Sequence, residues 1–155
     1  MPKYATQEWA DEYMERLNQN QAYKEAAGPK GFPPNGWEGD FIFVSEASGA
    51  LDHTINMWIG LYHGDCTGCR ILGENEKYQL IKQGEKAPEG VIGVEFIYSA
   101  TYDNWIKIVK KELDGTKALL SGQAKLKGDM GKVMRAAKAA AELSNTSAAI
   151  DTQRY

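Results

Sequence analysis

The sequence predicts an α+β fold, on three observations. Apolar residues recur at helical spacing near both ends of the chain, while from Asp40 onward the spacing shortens to two, with rising β-branched and aromatic content. The strand-like runs are also grouped rather than alternating with long helices, which argues against a parallel α/β sheet.

The first helix is expected over Thr6 to Asn18. Trp9, Tyr13 and Leu17 stand at i, i+4 and i+8, Thr6 can cap, and Glu8, Asp11 and Glu12 set negative charge at the positive end of the helix dipole. A short helix, Gln21 to Ala27, ends at Gly28. The connector from Gly28 to Gly39 holds Pro29, Gly31, Pro33, Pro34 and Gly36, which interrupt regular structure.

Phe41 to Val44 reads as a first strand and Thr54 to His63 as a second. In the second, Ile55, Met57, Ile59 and Leu61 share one face, and Asn56, Trp58, Gly60 and Tyr62 the other, so cover is expected on both. Gly64 and Asp65 signal a turn, after which Gly68 to Leu72 returns antiparallel as part of a meander. A short strand follows at Tyr78 to Ile81, then a continuous one at Val91 to Thr101, with Ile92, Val94, Phe96 and Tyr98 aligned.

Tyr102 to Leu113 repeats Trp105, Ile108, Val109 and Leu113 at helical spacing, capped by Thr101 or Asp103, with Lys107, Lys110 and Lys111 on the solvated side. Asp114 and Gly115 turn into a short helix, Thr116 to Ser121, and Gly122 opens a strand, Gln123 to Lys127. The closing helix is expected from Met130 to Leu143, with Met130, Val133, Met134, Ala137 and Ala141 on one stripe. The chain of 155 residues is read as one domain, 1–143, with 144–155 as a polar tail.

Composition limits the function. Hydrophobic residues at 43% and charged residues at 25% are ordinary globular usage and exclude general disorder. Lys and Arg number 18 against 21 Asp and Glu, a net charge of -3 that argues against a nucleic-acid partner. Apolar runs such as Ile55 to Tyr62 are too short to span a bilayer and contain Asn56 and Gly60. The opening MPKYATQEW shows no targeting pattern, so a soluble, cytoplasmic protein is expected. Cys66 and Cys69 are too few for a disulfide framework.

No motif assembles a catalytic centre. His63-Gly-Asp-Cys66-Thr-Gly-Cys69 has metal-like spacing but lacks the further ligands of a structural zinc site, and His53 lies away from that turn. Its plainer reading is two small, half-buried thiols near a turn. Gly128-Asp-Met-Gly-Lys132 fails the phosphate-loop pattern, since the earlier glycine falls on Leu126 and Val133 replaces Ser or Thr. Glu74, Glu76, Asp103, Glu112 and Asp114 fall on turns or polar faces. What stands out is the aromatic and thioether content. A helix striped with Met and Ala over an apolar sheet packs loosely, the condition for an enclosed apolar cavity.

The run Tyr98-Ser-Ala-Thr-Tyr-Asp-Asn-Trp105, through Asp114-Gly-Thr-Lys-Ala-Leu-Leu-Ser-Gly122 to Lys125-Leu-Lys-Gly-Asp-Met-Gly131, resembles the carboxy-terminal half of the sterol carrier protein type 2 family. Trp58 to Leu72 resembles its central hairpin. The resemblance implies a five-stranded, mainly antiparallel sheet covered by helices around an apolar tunnel. It implies binding or transfer of fatty acids, acyl-CoA, sterols or isoprenoid-like lipids, without catalysis, metal or cofactor, and with transient membrane contact. Carried onto matching positions, Trp105, Ile108, Val109, Leu119, Leu120, Met130 and Met134 would face the ligand, with Trp58, Phe96 and Tyr98 from the sheet. A ligand headgroup would meet Lys107, Lys110 or Lys125 at the mouth. The chain departs from the peroxisomal carriers in ending Gln153-Arg154-Tyr155 instead of Ser-Lys-Leu. Two other readings stand beside this one: an interaction module whose cavity is filled by bulky side chains, and a metal or thiol site at His63, Cys66 and Cys69.

Overall fold

A computed structural model describes all 155 residues. Thr6 caps α1 (Gln7–Gln19), its side chain accepting from the Trp9 amide, and Trp9, Ala10, Tyr13 and Leu17 form the buried stripe. Asn20 ends α1 and caps α2 (Gln21–Ala27). The connector then leads to β1 (Glu38–Glu46), longer at both ends than the expected Phe41 to Val44 and taking in Gly39.

β1, β2 (Ile55–Tyr62) and β3 (Asp65–Ile71) form the expected meander, with Phe41 opposite Ile59 and Phe43 opposite Met57. His63 and Gly64, both at positive φ, make the turn between β2 and β3. The short strand expected at Tyr78 to Ile81 is β4 (Lys77–Leu80).

Val91 to Thr101 is two strands rather than one. β5 (Val91–Val94) pairs in parallel with β4 as a separate ribbon, and β6 (Phe96–Thr101) pairs in parallel with β1. Glu95 is the joint, and its amide donates to the Asp40 carbonyl. The run changes partners there, which an uninterrupted alternation of apolar residues does not reveal.

α3 (Tyr102–Val109) is capped by Thr101 and stops four residues short of Leu113, because Lys111 takes a positive φ. α4 (Gly115–Ser121) is capped by Asp114 and leads to β7 (Ala124–Lys127), which pairs antiparallel with β6. The five-stranded sheet therefore runs β3-β2-β1-β6-β7, mainly antiparallel with one parallel pair, and the expected α+β class holds.

The closing helix is broken at Ala136 into α5 (Met130–Arg135) and α6 (Ala137–Ala148). The expected polar tail from residue 144 is also corrected. α6 continues to Ala148, and Thr146, Ser147, Ile150 and Thr152 are buried. Thr152 accepts a hydrogen bond from Trp9 Nε1, Gln153 bridges to Lys3, and Tyr155 packs edge-on against Tyr102. These late residues read as polar in sequence because their hydroxyls are spent inside the fold.

The helices cover one face of the sheet, where Phe41, Met57, Ile59, Leu61, Phe96 and Tyr98 join one continuous apolar core. On the opposite face Ile42 is fully buried, with the β4-β5 ribbon and its fully buried Val94 beside β1. Cover on both sides of the sheet is thus achieved unequally, and Tyr62 at the end of β2 is half-exposed.

Candidate functional site

Between the sheet and the helices lies a cavity of about 520 Å³, within the range of small-molecule sites. Of its 28 lining residues, 22 are hydrophobic, so its contents are selected by burial of apolar surface. Phe41 and Phe43 of β1, Met57 and Leu61 of β2, and Tyr98 of β6 form the floor. They share this face because strand residues two apart project the same way. α6 presents Ala136, Ala140, Leu143, Ser144 and Ser147, a stripe at i, i+4, i+7, i+8 and i+11 whose small side chains leave the volume open. Asp114, Thr116, Lys117 and the 76%-exposed Leu120 place one end of the cavity at α4 and the surface.

The polar groups on the lining are almost all spent within the protein. Tyr98 Oη donates to the Gly115 carbonyl at 2.7 Å, tying the start of α4 to the sheet. Trp105 Nε1 donates to Val44 O at 2.7 Å, Tyr13 Oη to Leu143 O at 2.9 Å, and Trp37 Nε1 to Lys132 O at 3.1 Å. Ser147 Oγ donates to Val109 O, and the Tyr4 and Ser45 hydroxyls meet at 3.4 Å. Burial pushes the phenols of Tyr4, Tyr13, Tyr23 and Tyr98 well above the ordinary tyrosine range, so all four stay protonated. Tyr23 Oη is buried with no hydrogen-bond partner.

The structure brings together six of the ten residues expected at the ligand: Tyr98, Trp105, Ile108, Val109, Leu119 and Leu120 all line the cavity. The other four do not. Trp58 faces away from the cavity with its neighbours of the same parity, and a methyl group at Gly68 would come within 2.5 Å of its ring. Phe96 is buried behind the lining, stacked on Phe41 and Trp37 at 4.8 and 5.8 Å. Met130 is 37% exposed at the start of α5, and Met134 is half-buried off the lining, where α5 contributes Val133 instead. Lys107, Lys110 and Lys125 are also off the lining, and Lys117 is the lysine at the rim.

Sequence reasoning missed the amino-terminal contribution: Tyr4, Trp9, Tyr13, Tyr23 and Trp37 close the cavity from above. The helical spacing of Trp9 and Tyr13 marked them as core, and nothing in periodicity separates a core aromatic from a lining one. Lys132 underpins this wall. Its Nζ pairs with Glu95 at 2.7 Å, both side chains 14% exposed, and lies 5.4 Å from the Trp37 ring centroid.

The His63-Cys66-Cys69 motif does not converge. The His63 ring stacks on Tyr62 at 3.8 Å, whereas both thiols are free and buried in the core, and no group of three or more potential ligands is positioned to hold a metal. Burial raises both thiols, Cys66 to about 11 and Cys69 further, away from thiolate chemistry.

Residues 72–141 match the family model of the SCP-2 sterol transfer family. A crystal structure of sterol carrier protein 2 aligns with TM-score 0.72 and 22% identity, covering 96% of this chain and 99% of that one. The solution structure of a conserved hypothetical protein from Thermus thermophilus aligns with TM-score 0.74 and 22% identity, covering 99% and 93%. No curated protein matches the sequence. The sequence thus resembles the SCP-2 sterol transfer family over residues 72–141, and over nearly the whole chain the fold is that of the sterol carrier protein 2 crystal structure. No helix is long and apolar enough to cross a membrane.

Proposed function

We propose that this protein binds a lipid in the apolar cavity and carries it, without chemical change, between membranes or enzymes. Fatty acids, fatty acyl-CoA, sterols and isoprenoid-like lipids are the ligand classes. The observation that carries the reading is the cavity itself: about 520 Å³, with 22 of 28 lining residues hydrophobic. Each methylene moved from water into such a space is worth about 0.8 kcal/mol. A sixteen-carbon chain therefore gains on the order of 12 kcal/mol before ordering and association costs, and micromolar binding survives large deductions.

The family match supports the same reading, since the family is described as one of sterol transfer. The rim suits an amphipathic ligand, because a carboxylate or phosphate left at the α4 end meets Lys117 there. A cavity of this volume counts against an interaction module filled by its own side chains. The separation of His63 from the buried thiols counts against a metal or thiol site. The reading is tested by titrating delipidated protein with a fluorescent fatty acid. Saturable, stoichiometric binding displaced by unlabelled lipid is expected, and no saturable binding of fatty acid or sterol overturns it.

A further inference from the structure

Two buried side-chain nitrogen or oxygen atoms in this protein lack a hydrogen-bond partner: Trp58 Nε1, on the far side of the sheet, and Tyr23 Oη. Tyr23 is 1% exposed and lines the cavity. A buried hydroxyl left unpaired carries a desolvation cost that a folded chain ordinarily offsets with a partner. The other buried tyrosines of the lining have found one: Tyr13 in Leu143 O, Tyr98 in Gly115 O and Tyr4 in Ser45. Tyr23 stands apart in being paired with nothing.

Its place in the fold gives this a direction. Tyr23 lies near Cys66 and Asp65, at the β2–β3 edge of the sheet, whereas the α4 rim sits against β7 at the opposite edge. From β2 across β1 and β6 to β7 is three strand spacings, about 14 Å. A ligand whose head rests at the α4 rim therefore points its far end toward Tyr23. There the lining offers Leu61 and the Tyr13 and Trp37 rings, whose polar atoms are already committed.

We infer that the ligand carries a hydrogen-bond acceptor oxygen at its inner end, and that Tyr23 Oη donates to it. The inference rests on the lipid-binding reading and narrows it. The favoured class is a lipid with a hydroxyl or carbonyl oxygen at the end remote from its head, or a sterol entering hydroxyl first, over a chain that ends in a methyl group. Tyr23 Oη is covered by neighbouring side chains in this conformation. The ligand's inner end must part them, a cost offset by the bond formed and by relief of the unpaired donor.

The experiment uses the whole protein, wild type and Tyr23→Phe, with two probes, hexadecanoic acid and its ω-hydroxy derivative, each displacing a bound fluorescent fatty acid. The substitution is expected to weaken the ω-hydroxy probe by about 3- to 10-fold, the range of one hydrogen bond, and to change hexadecanoic acid by less than twofold. Equal effects on both probes, or no effect on either, overturn the inference and leave lipid binding intact. Failure of the ω-hydroxy probe alone to bind the wild type also overturns the inference, whereas failure of both probes overturns the lipid-binding reading itself. Thermal unfolding without ligand is a second readout. An unpaired hydroxyl predicts that Tyr23→Phe keeps or raises Tm, and a clear drop in Tm shows that the hydroxyl already has a partner, which also overturns the inference.

Discussion

Ala140 lies at the middle of the α6 stripe that faces the cavity, half-buried and among its lining residues. Ala140→Trp is expected to fill ligand space without breaking the fold. An indole there takes the place of on the order of four ligand methylenes, each worth about 0.8 kcal/mol. Affinity for a long-chain fatty acid should then fall by about 3 kcal/mol, roughly 100- to 200-fold. Stability should move the other way. At about 24 cal/mol per Å³, filling roughly 100 Å³ of the cavity is worth up to about 2 kcal/mol, less the rotamer entropy of the new side chain. The assay is a fluorescent fatty acid titration run beside calorimetric unfolding. Ala148→Trp, on the same helix but exposed and off the lining, serves as the control and should leave affinity within twofold. An Ala140→Trp protein that unfolds normally and binds fatty acid as tightly as wild type would refute the assignment of the ligand to this cavity.

Three further outcomes follow from the geometry. Ligand at about one hundred times Kd should stabilise the fold by about 2.7 kcal/mol, raising Tm by roughly 5 to 10 °C in a domain of this size, as read by scanning calorimetry; no shift with saturating lipid would count against binding to the folded state. Lys132→Met leaves the Glu95 carboxylate without its cation at a site where both side chains are 14% exposed, and should cost about 3 to 5 kcal/mol in urea unfolding, with a loss below 1 kcal/mol contradicting the structural weight given to this pair. Because burial raises Cys66 to about 11 and Cys69 further, neither thiol should react with iodoacetamide at pH 8 until the protein is unfolded. The sign of the linkage is that stability associated with the protonated thiols is complete below their unfolded value near 9 and declines as pH rises through 11. Rapid labelling of the native protein at pH 8 would show the thiols to be accessible.

The fold was legible where local chemistry and packing agree. Thr6 marks the start of α1 by its side chain, and the alternation through Ile55, Met57, Ile59 and Leu61 grouped the residues that share the buried face of β2. It was not legible where the chain changes partner without changing pattern. Val94, Phe96 and Tyr98 alternate smoothly through Glu95, although β5 and β6 belong to different sheets. Backbone breaks at Lys111 and Ala136 have no glycine or proline to announce them. The packed segment after residue 144 was missed because Thr146, Ser147 and Thr152 are polar in composition but satisfied inside.

The cavity was legible in the same uneven way. α3 and α4 supplied expected lining residues because their apolar stripes face the sheet, and Trp58 could have been set aside from parity alone, since it alternates with Met57 and Leu61. Tyr4, Tyr13 and Tyr23 could not be recognised from one sequence. Whether a buried aromatic borders a void depends on how far apart its neighbours stand, and that distance is set by the small residues of a helix more than 100 positions away.

The central claim is that the cavity holds a lipid. Native mass spectrometry of protein purified without detergent, followed by denaturing lipid extraction, tests it most directly. A near-stoichiometric acyl, sterol or isoprenoid lipid that leaves on denaturation, and that Ala140→Trp no longer retains, is the predicted result. Wild-type protein that carries no lipid and takes up neither fatty acid nor sterol when offered them would contradict the account.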